Sequence, residues 1–226
     1  MKKLIALLLI ASLILCGCGA STPAATEATT APTQAPATEA TEAPTETTEA
    51  PTEPPVVYRN PLNGEVLDEP YTGRIFAVTI SNIRDALPHY GTMEADILME
   101  MWVNGSIIRD LALYTDVSKA EAIGSVRSDR LMFNQIVKMY DAVLADAAGS
   151  DQVLNDAKNT GVNRMTIDTG DSTDYSYRAK DRVFTFKPES KYEHTLFAKG
   201  AGLLDFAQKK GFSVTQPADK DYNLHF

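Results

Sequence analysis

Apolar positions along the chain fall into three regimes. Leu4 to Leu15 (LIALLLIASLIL) is a hydrophobic run broken only by Ser12. Residues 21–55 then contain no aromatic residue and no aliphatic one larger than Ala, and from Val56 the usage is that of a globular domain. Within that domain, Arg74 to Ile80 (RIFAVTI) predicts a strand ended by Ser81-Asn82, and Leu87 to Gly91 a loop. Ile97 to Val103 and Ile107 to Tyr114 are two β-prone runs separated by Asn104-Gly105-Ser106, a strong hairpin signal. Met132, Ile136, Met139 and Tyr140 recur at helical spacing, so a helix capped by Ser128 is expected to run to about Tyr140. Ala142 to Ala147 predicts a small-residue strand, Asp151 to Thr160 a helix closed by Gly161, and Arg164 to Ile167 a further strand. Lys199 to Lys210 predicts a third helix ended by Gly211. The alternation predicts an α/β fold: a mixed sheet that includes one β-hairpin, with helices packed on it, preceded by a long disordered tether.

The apolar run near the start is too short for a bilayer core, which needs about 20 residues, and it follows Lys2-Lys3. It reads as a signal peptide over residues 1–17. Leu15-Cys16-Gly17-Cys18 looks like a bacterial lipobox, which places cleavage before Cys18 and makes Cys18 the lipidated residue. The alternative is an ordinary cleaved signal peptide. Two or more acyl chains on Cys18 would anchor the protein stably to the extracytoplasmic face of the membrane. The 35 residues 21–55 comprise 11 Thr, 9 Ala, 7 Pro, 6 Glu, one Ser and one Gln, with a near repeat at Thr41 to Glu46 and Thr48 to Glu53. Such a composition buries nothing that offsets chain entropy, and its prolines and glutamates favour extended states. Residues 18–55 are thus expected to be a tether reaching on the order of 100 Å at ~3.1 Å per residue.

Charge follows the same division. Residues 1–20 carry +2, residues 21–55 carry −6 and residues 56–226 carry −5, which together make the net −9. No basic face of the kind nucleic acid needs is apparent, so nucleic acid is excluded as a partner. Both cysteines lie in the first 18 residues, which excludes a disulfide, a Cys-ligated zinc or a thiol active site within the domain. Residues 56–211 are long enough for a sizeable single core. Residues 212–226 start something new without a closing element, as in the first part of a missing or truncated region.

Candidate chemistry concentrates in Ile123-Gly124-Ser125-Val126-Arg127-Ser128-Asp129-Arg130. Small residues leading to a helix start, with Arg127 and Arg130 three apart, suit an anionic or polar ligand, although Asp129 competes for the same donors. A two-residue turn in the hairpin would set Glu100 opposite Arg109, on a face with Leu98, Trp102, Ile107 and Leu111. That pair would either fix hairpin register or line a pocket and orient a ligand. His194, beside Glu193, is a candidate general base or a structural loop histidine. Asp168-Thr169-Gly170 occurs once, whereas aspartic protease chemistry needs two such carboxylates. Asp168, Asp171 and Asp174 lack the alternation of a calcium loop. The spacing of His89, His194 and His225 excludes a zincin site, and no nucleophile elbow, phosphate loop or dinucleotide fingerprint is present. No cofactor or metal is expected.

Taken together, Arg74…Asn82, Ala95-Asp96-Ile97…Glu100, Gly105…Arg109, Gly124…Val126-Arg127-Ser128…Arg130…Phe133, Gly149-Ser150 and His194 resemble the YerB-like bacterial lipoproteins, a family with a domain of unknown function. The resemblance spans about Asn60 to Lys210 and is most specific at the Gly-x-Val-Arg-Ser-x-Arg block. Departures fall at Ser81, Asn104, Ser106, Asp146 and Thr195, where the family has other polar residues or Gly. The resemblance implies an extracytoplasmic location and a further C-terminal domain that this chain lacks; it implies no reaction. Three functions stay open. One is a lipid-anchored module binding an envelope ligand such as a wall glycan through Arg127, Ser128, Arg130, Glu100, Arg109 and His194. Another is a structural or protein-interaction lipoprotein. The third is an envelope hydrolase or transferase using Glu100, Asp96 or His194. The oligomeric state is not legible.

Overall fold

The structure is a computed structural model and describes residues 56–179, 191–217 and 220. Cys18, the expected tether and His225 lie outside the described residues. In chain order the strands are β1 (Tyr58–Arg59), β2 (Val66–Leu67), β3 (Phe76–Ser81), β4 (Ile97–Asn104), β5 (Ile107–Tyr114), β6 (Ile123–Gly124), β7 (Val143–Asp146), β8 (Asn163–Thr166), β9 (Ser176–Arg178) and β10 (Leu196–Ala198). The helices are α1 (Leu131–Met139), α2 (Asp151–Thr160) and α3 (Gly200–Lys209).

The main sheet has the order β4-β5-β3-β7-β8, with β4, β5 and β3 antiparallel and β3, β7 and β8 parallel. Alternation along the strands divides its side chains between two cores. Ala77, Leu111, Leu113 and Leu144 face Phe133 and Val137 of α1. Phe76, Val78, Ile80, Ala112, Val143 and Ala145 face Ile123, Leu196, Ala198 and Leu203, which belong to β6, β10 and α3. The second layer is a small sheet of order β6-β10-β9. Burial on both faces explains why β3 and β7 read as continuous apolar runs. The mixed α/β fold with one long hairpin is thus as expected. The small sheet was not, because its strands are two or three residues long and carry no periodicity.

Two local expectations are corrected. In the hairpin, Ile97 pairs with Leu113 and Trp102 with Ile108, while Asn104 pairs with Ile107, with a register shift between Trp102 and Asn104. That extra residue moves the pairing by one position and sends alternate side chains to opposite faces from those expected. Glu100 therefore stands opposite Asp110, and Arg109 opposite Met101. The face bearing Leu98, Glu100 and Trp102 is solvent-exposed, with Trp102 70% accessible.

Ser128 does not cap α1. The helix begins at Leu131, behind Arg130, because residues 127–129 are held by the sheet: Arg127 N–H donates to Thr79 O and Asp129 N–H to Ala148 O. By contrast α2 has the expected limits, with the Ser150 hydroxyl accepting from Val153 N–H and Gly161 closing it in the left-handed conformation. After α3 the described residues run on along the domain. Phe212 and Val214 pack on the core, Arg74 N–H donates to Val214 O, and Gln216 N–H donates to Thr72 O.

Candidate functional site

The distinctive arginine-bearing segment threads between the two sheets at the carboxyl ends of β3 and β7. Its backbone alternates partners: Ser81 N–H donates to Ser125 O, Val126 N–H to Leu196 O, Arg127 N–H to Thr79 O, and Ala147 N–H to Arg127 O. The Thr79 hydroxyl also donates to Arg127 O. Crevices outside the carboxyl ends of parallel strands are the usual ligand position in α/β sheets. The pairing fixes where the side chains of residues 126–130 emerge.

Arg109 reaches this segment from β5. It is 4% exposed, and its Nη1 donates to Ser128 O. Arg130 Nη1 donates to Asp129 O at 2.7 Å, and Arg127 Nη1 donates to Glu193 O at 2.7 Å. Burial pushes Arg109 down to about 10, and Arg130 and Arg127 add to that through like-charge repulsion while Asp129 opposes it. Arg130 is lowered by burial and by Arg127. Arg127 has a carboxylate 3.7 Å away, on Glu193. Among the described residues, Arg109 and Arg130 have no ion pair within 4.0 Å. The three cations thus repel one another along residues 127–130, with Asp129 and, at Arg127, Glu193 compensating in part, and an anion would offset what remains.

Beneath them lies a buried acidic pair that sequence reasoning missed. Asp129 and Asp146 are both fully buried. Arg164 Nη2 is 2.5 Å from Asp146 Oδ1, and its Nε is 3.7 Å from Asp129 Oδ2. Asp129 Oδ1 accepts from Arg130 N–H at 2.6 Å. Desolvation raises Asp129 to about 6, against the pull of the Arg130 N–H, Arg164 and Arg130. Asp146 is raised well above the ordinary carboxylate range by burial, with Arg164 opposing and Asp129 adding to the rise. The available signal was a charge inside each short apolar strand, Asp146 in β7 and Arg164 in β8.

On the side of Arg127 facing β10, a pocket of about 190 Å³ is lined by Arg127, Ser128, Asp168, Arg178, Tyr192 and Glu193, over an apolar floor including Val126 and Leu196. Arg178 Nη2 pairs with Asp168 Oδ2, its Nη1 donates to Tyr192 O at 2.7 Å, and its guanidinium lies 4.0 Å from the Tyr192 ring centre.

The other expected site residues are distributed differently. Glu100 Oε2 and Asp110 Oδ1 both accept from Asn82 Nδ2, at 2.6 and 3.0 Å. His89 Nδ1 lies 3.8 Å from Asp110 Oδ2. The expected Glu100–Arg109 pair is absent because the register places the two on opposite faces. His194 is buried with its Nε2 3.4 Å from Glu193 Oε1, and burial lowers its pKa while Glu193 opposes the shift. Asp96 accepts from Asn60, Asn63 and Thr115, which ties the β1–β2 loop to the far end of β5. Neither Glu100 nor Asp96 hydrogen-bonds His194. Among the described residues no cluster of three His, Cys, Asp or Glu could hold a metal, and no helix is long and apolar enough to cross a membrane.

Residues 62–213 match the family described as "Protein of unknown function (DUF3048) N-terminal domain". A relative in Bacillus subtilis (strain 168), described as "Putative lipoprotein YerB", is 26% identical over 181 residues, covering 73% of this chain and 51% of that protein. The crystal structure of the YerB protein from Bacillus subtilis superposes with a TM-score of 0.61 at 25% identity, over 70% of this chain and 51% of that one. The chain therefore spans about half the length of the relatives it matches.

Proposed function

We propose, from the premise that this chain belongs to the DUF3048 N-terminal-domain family, that it is a lipid-anchored extracytoplasmic module binding an anionic ligand of the cell envelope. The lipid sits on Cys18, the acidic stretch to residue 55 acts as the spacer, and a wall glycan is the kind of partner the location offers. The lipoprotein description of the Bacillus relative supports the anchoring. One observation supports the ligand class: the Arg109 and Arg130 side chains both bond to the 128–129 backbone beside Arg127, and neither has an ion pair within 4.0 Å among the described residues. Guanidinium forks in a partly dehydrated setting favour phosphate or carboxylate oxygens.

The test is calorimetric titration of inorganic phosphate into the full chain at low ionic strength, where surface screening is weakest. Arg130→Ala is expected to weaken binding on the order of tenfold, in keeping with ~1.5–3 kcal/mol for a charged hydrogen bond. Unchanged binding in Arg130→Ala and Arg109→Met would remove this reading. One feature favours a protein-interaction role instead: the uncovered face of edge strand β4 carries Leu98 at 45% and Trp102 at 70% exposure.

A further inference from the structure

The pocket beside Arg127 differs in chemistry from the arginine cluster it adjoins. Two carboxylates line it, Asp168 and Glu193, and each already lies beside a guanidinium, that of Arg178 and of Arg127. A second anion there would meet both carboxylates at short range. The pocket also has a donor to spare. Val126 N–H is spent on Leu196 O, and Arg127 and Asp129 N–H are spent on Thr79 O and Ala148 O. Ser128 lines the pocket, and its N–H makes no hydrogen bond within the described residues. Arg178 itself is committed, its Nη1 to Tyr192 O and its Nη2 to Asp168. The lining therefore offers an uncommitted donor at Ser128 next to carboxylate acceptors that retain lone pairs.

Its remaining walls are apolar: Val126, Ala147, Ala148, Leu196 and the Tyr192 ring, a residue 64% exposed. A group that fits must both donate and accept hydrogen bonds along one edge, show carbon to the other, and occupy about 190 Å³. Hydroxyls on a saturated ring meet all three conditions. A bare phosphate has no apolar face, and a hydrocarbon chain would leave the buried polar groups unpaired. We propose that this pocket is a sugar-ring subsite, and that the ligand is an acidic sugar whose ring lies against Tyr192, Ser128 and Asp168 while its charged group rests on the arginines. Arg127, which belongs to both places, joins the two halves of the ligand. The inference rests on the anion-binding reading above and adds the class of molecule.

The experiment compares glucose 6-phosphate with inorganic phosphate, and glucuronate with acetate, by titration into the full chain. At least one acidic sugar should bind tenfold or more tightly than its bare anion. Tyr192→Ala, an exposed position where folding is not at stake, should remove that advantage and leave phosphate binding unchanged. Asp168→Asn should also remove that advantage with the ring wall intact, and, since it deletes a carboxylate and releases Arg178, it should not weaken phosphate binding. Acidic sugars that bind no better than phosphate and acetate would overturn the sugar subsite and leave the anion site standing. Failure of all four probes to bind would overturn both. Equal loss of glucose 6-phosphate and phosphate in Tyr192→Ala would also contradict the assignment, since it would place the phosphate in the pocket.

Discussion

Arg109 donates through Nη1 to the carbonyl of Ser128, joining the middle of the β-hairpin to the segment that carries the other two arginines. The two residues are 19 apart in sequence, and neither would be placed on the other by local pattern. The bond orients a buried cation and ties down the extended segment that precedes α1. Arg109→Met should therefore have two effects. Thermal stability should fall by about 2 kcal/mol, the scale of a charged hydrogen bond, and phosphate affinity should fall on the order of tenfold. Chemical denaturation and titration of the same variant separate the two.

Glu100 and Asp110 share one donor group, the Nδ2 amide of Asn82. Asp110 is 1% exposed, and burial raises its pKa, with Glu100 adding to the rise and His89 and Asn82 opposing it. Asn82→Ala would leave the buried carboxylate short of a partner and should cost roughly 1–3 kcal/mol. Glu100→Gln removes a like charge from across the strand and should be neutral or slightly stabilising at pH 7. Urea unfolding midpoints decide both. A destabilising Glu100→Gln would show that Glu100 acts as a net stabilising charge.

The acidic pair under the arginines makes stability depend on pH. Asp129 is raised to about 6, above its ordinary value of ~3.9, so the folded protein holds a proton that the unfolded chain has released. Stability should thus be highest below about pH 4 for this group and fall as pH rises through 6, by on the order of 2–3 kcal/mol. Asp129→Asn should flatten that part of the curve. The charged groups around Asp129 are Arg109, Arg130, Arg164, Asp146 and Asp156. Protonation removes a negative charge from beside the cations, so sulfate, which does not itself titrate here, should bind several-fold more tightly at pH 5 than at pH 7.5. Asp129→Asn should reduce that difference, leaving what Asp146 and His194 contribute.

Two glycines near the start of α3 are needed for close approach. A Cβ on Gly200 would lie 1.9 Å from Val117 O, and one on Gly202 would lie 2.1 Å from Asp174 O. Both neighbours are backbone and cannot move aside, so Gly200→Ala and Gly202→Ala should each cost at least about 3 kcal/mol despite improving helix propensity. Ala201→Gly on the exposed face between them should cost only ~1 kcal/mol. Calorimetric melting of the three variants compares packing with propensity directly.

These cases show which levels of structure were legible in the chain. Elements with strong local signals emerged close to their expected limits: β4 and β5 flanking Asn104-Gly105, and α2 between Ser150 and Gly161. Hairpin register did not, because one inserted residue between Trp102 and Asn104 has no signature in an apolar run and yet reverses the faces. The start of α1 was misplaced because Ser128 is a good cap by type, while tertiary hydrogen bonds at Arg127 and Asp129 hold that stretch extended. The arginines of residues 127 and 130 were legible as a motif. Asp146, Arg164 and Arg178 were not, since each is a single charge in a short strand and acquires meaning only when β7, β8 and β9 come together.

The account turns on whether Arg109, Arg127 and Arg130 act as one anion site. Arginine side-chain Nε–H resonances followed during a phosphate titration test that most directly. All three should shift, saturating at one common concentration, and Arg130→Ala should weaken the response of the other two. Shifts confined to exposed lysines, or three arginines that respond independently and without saturation, would contradict it.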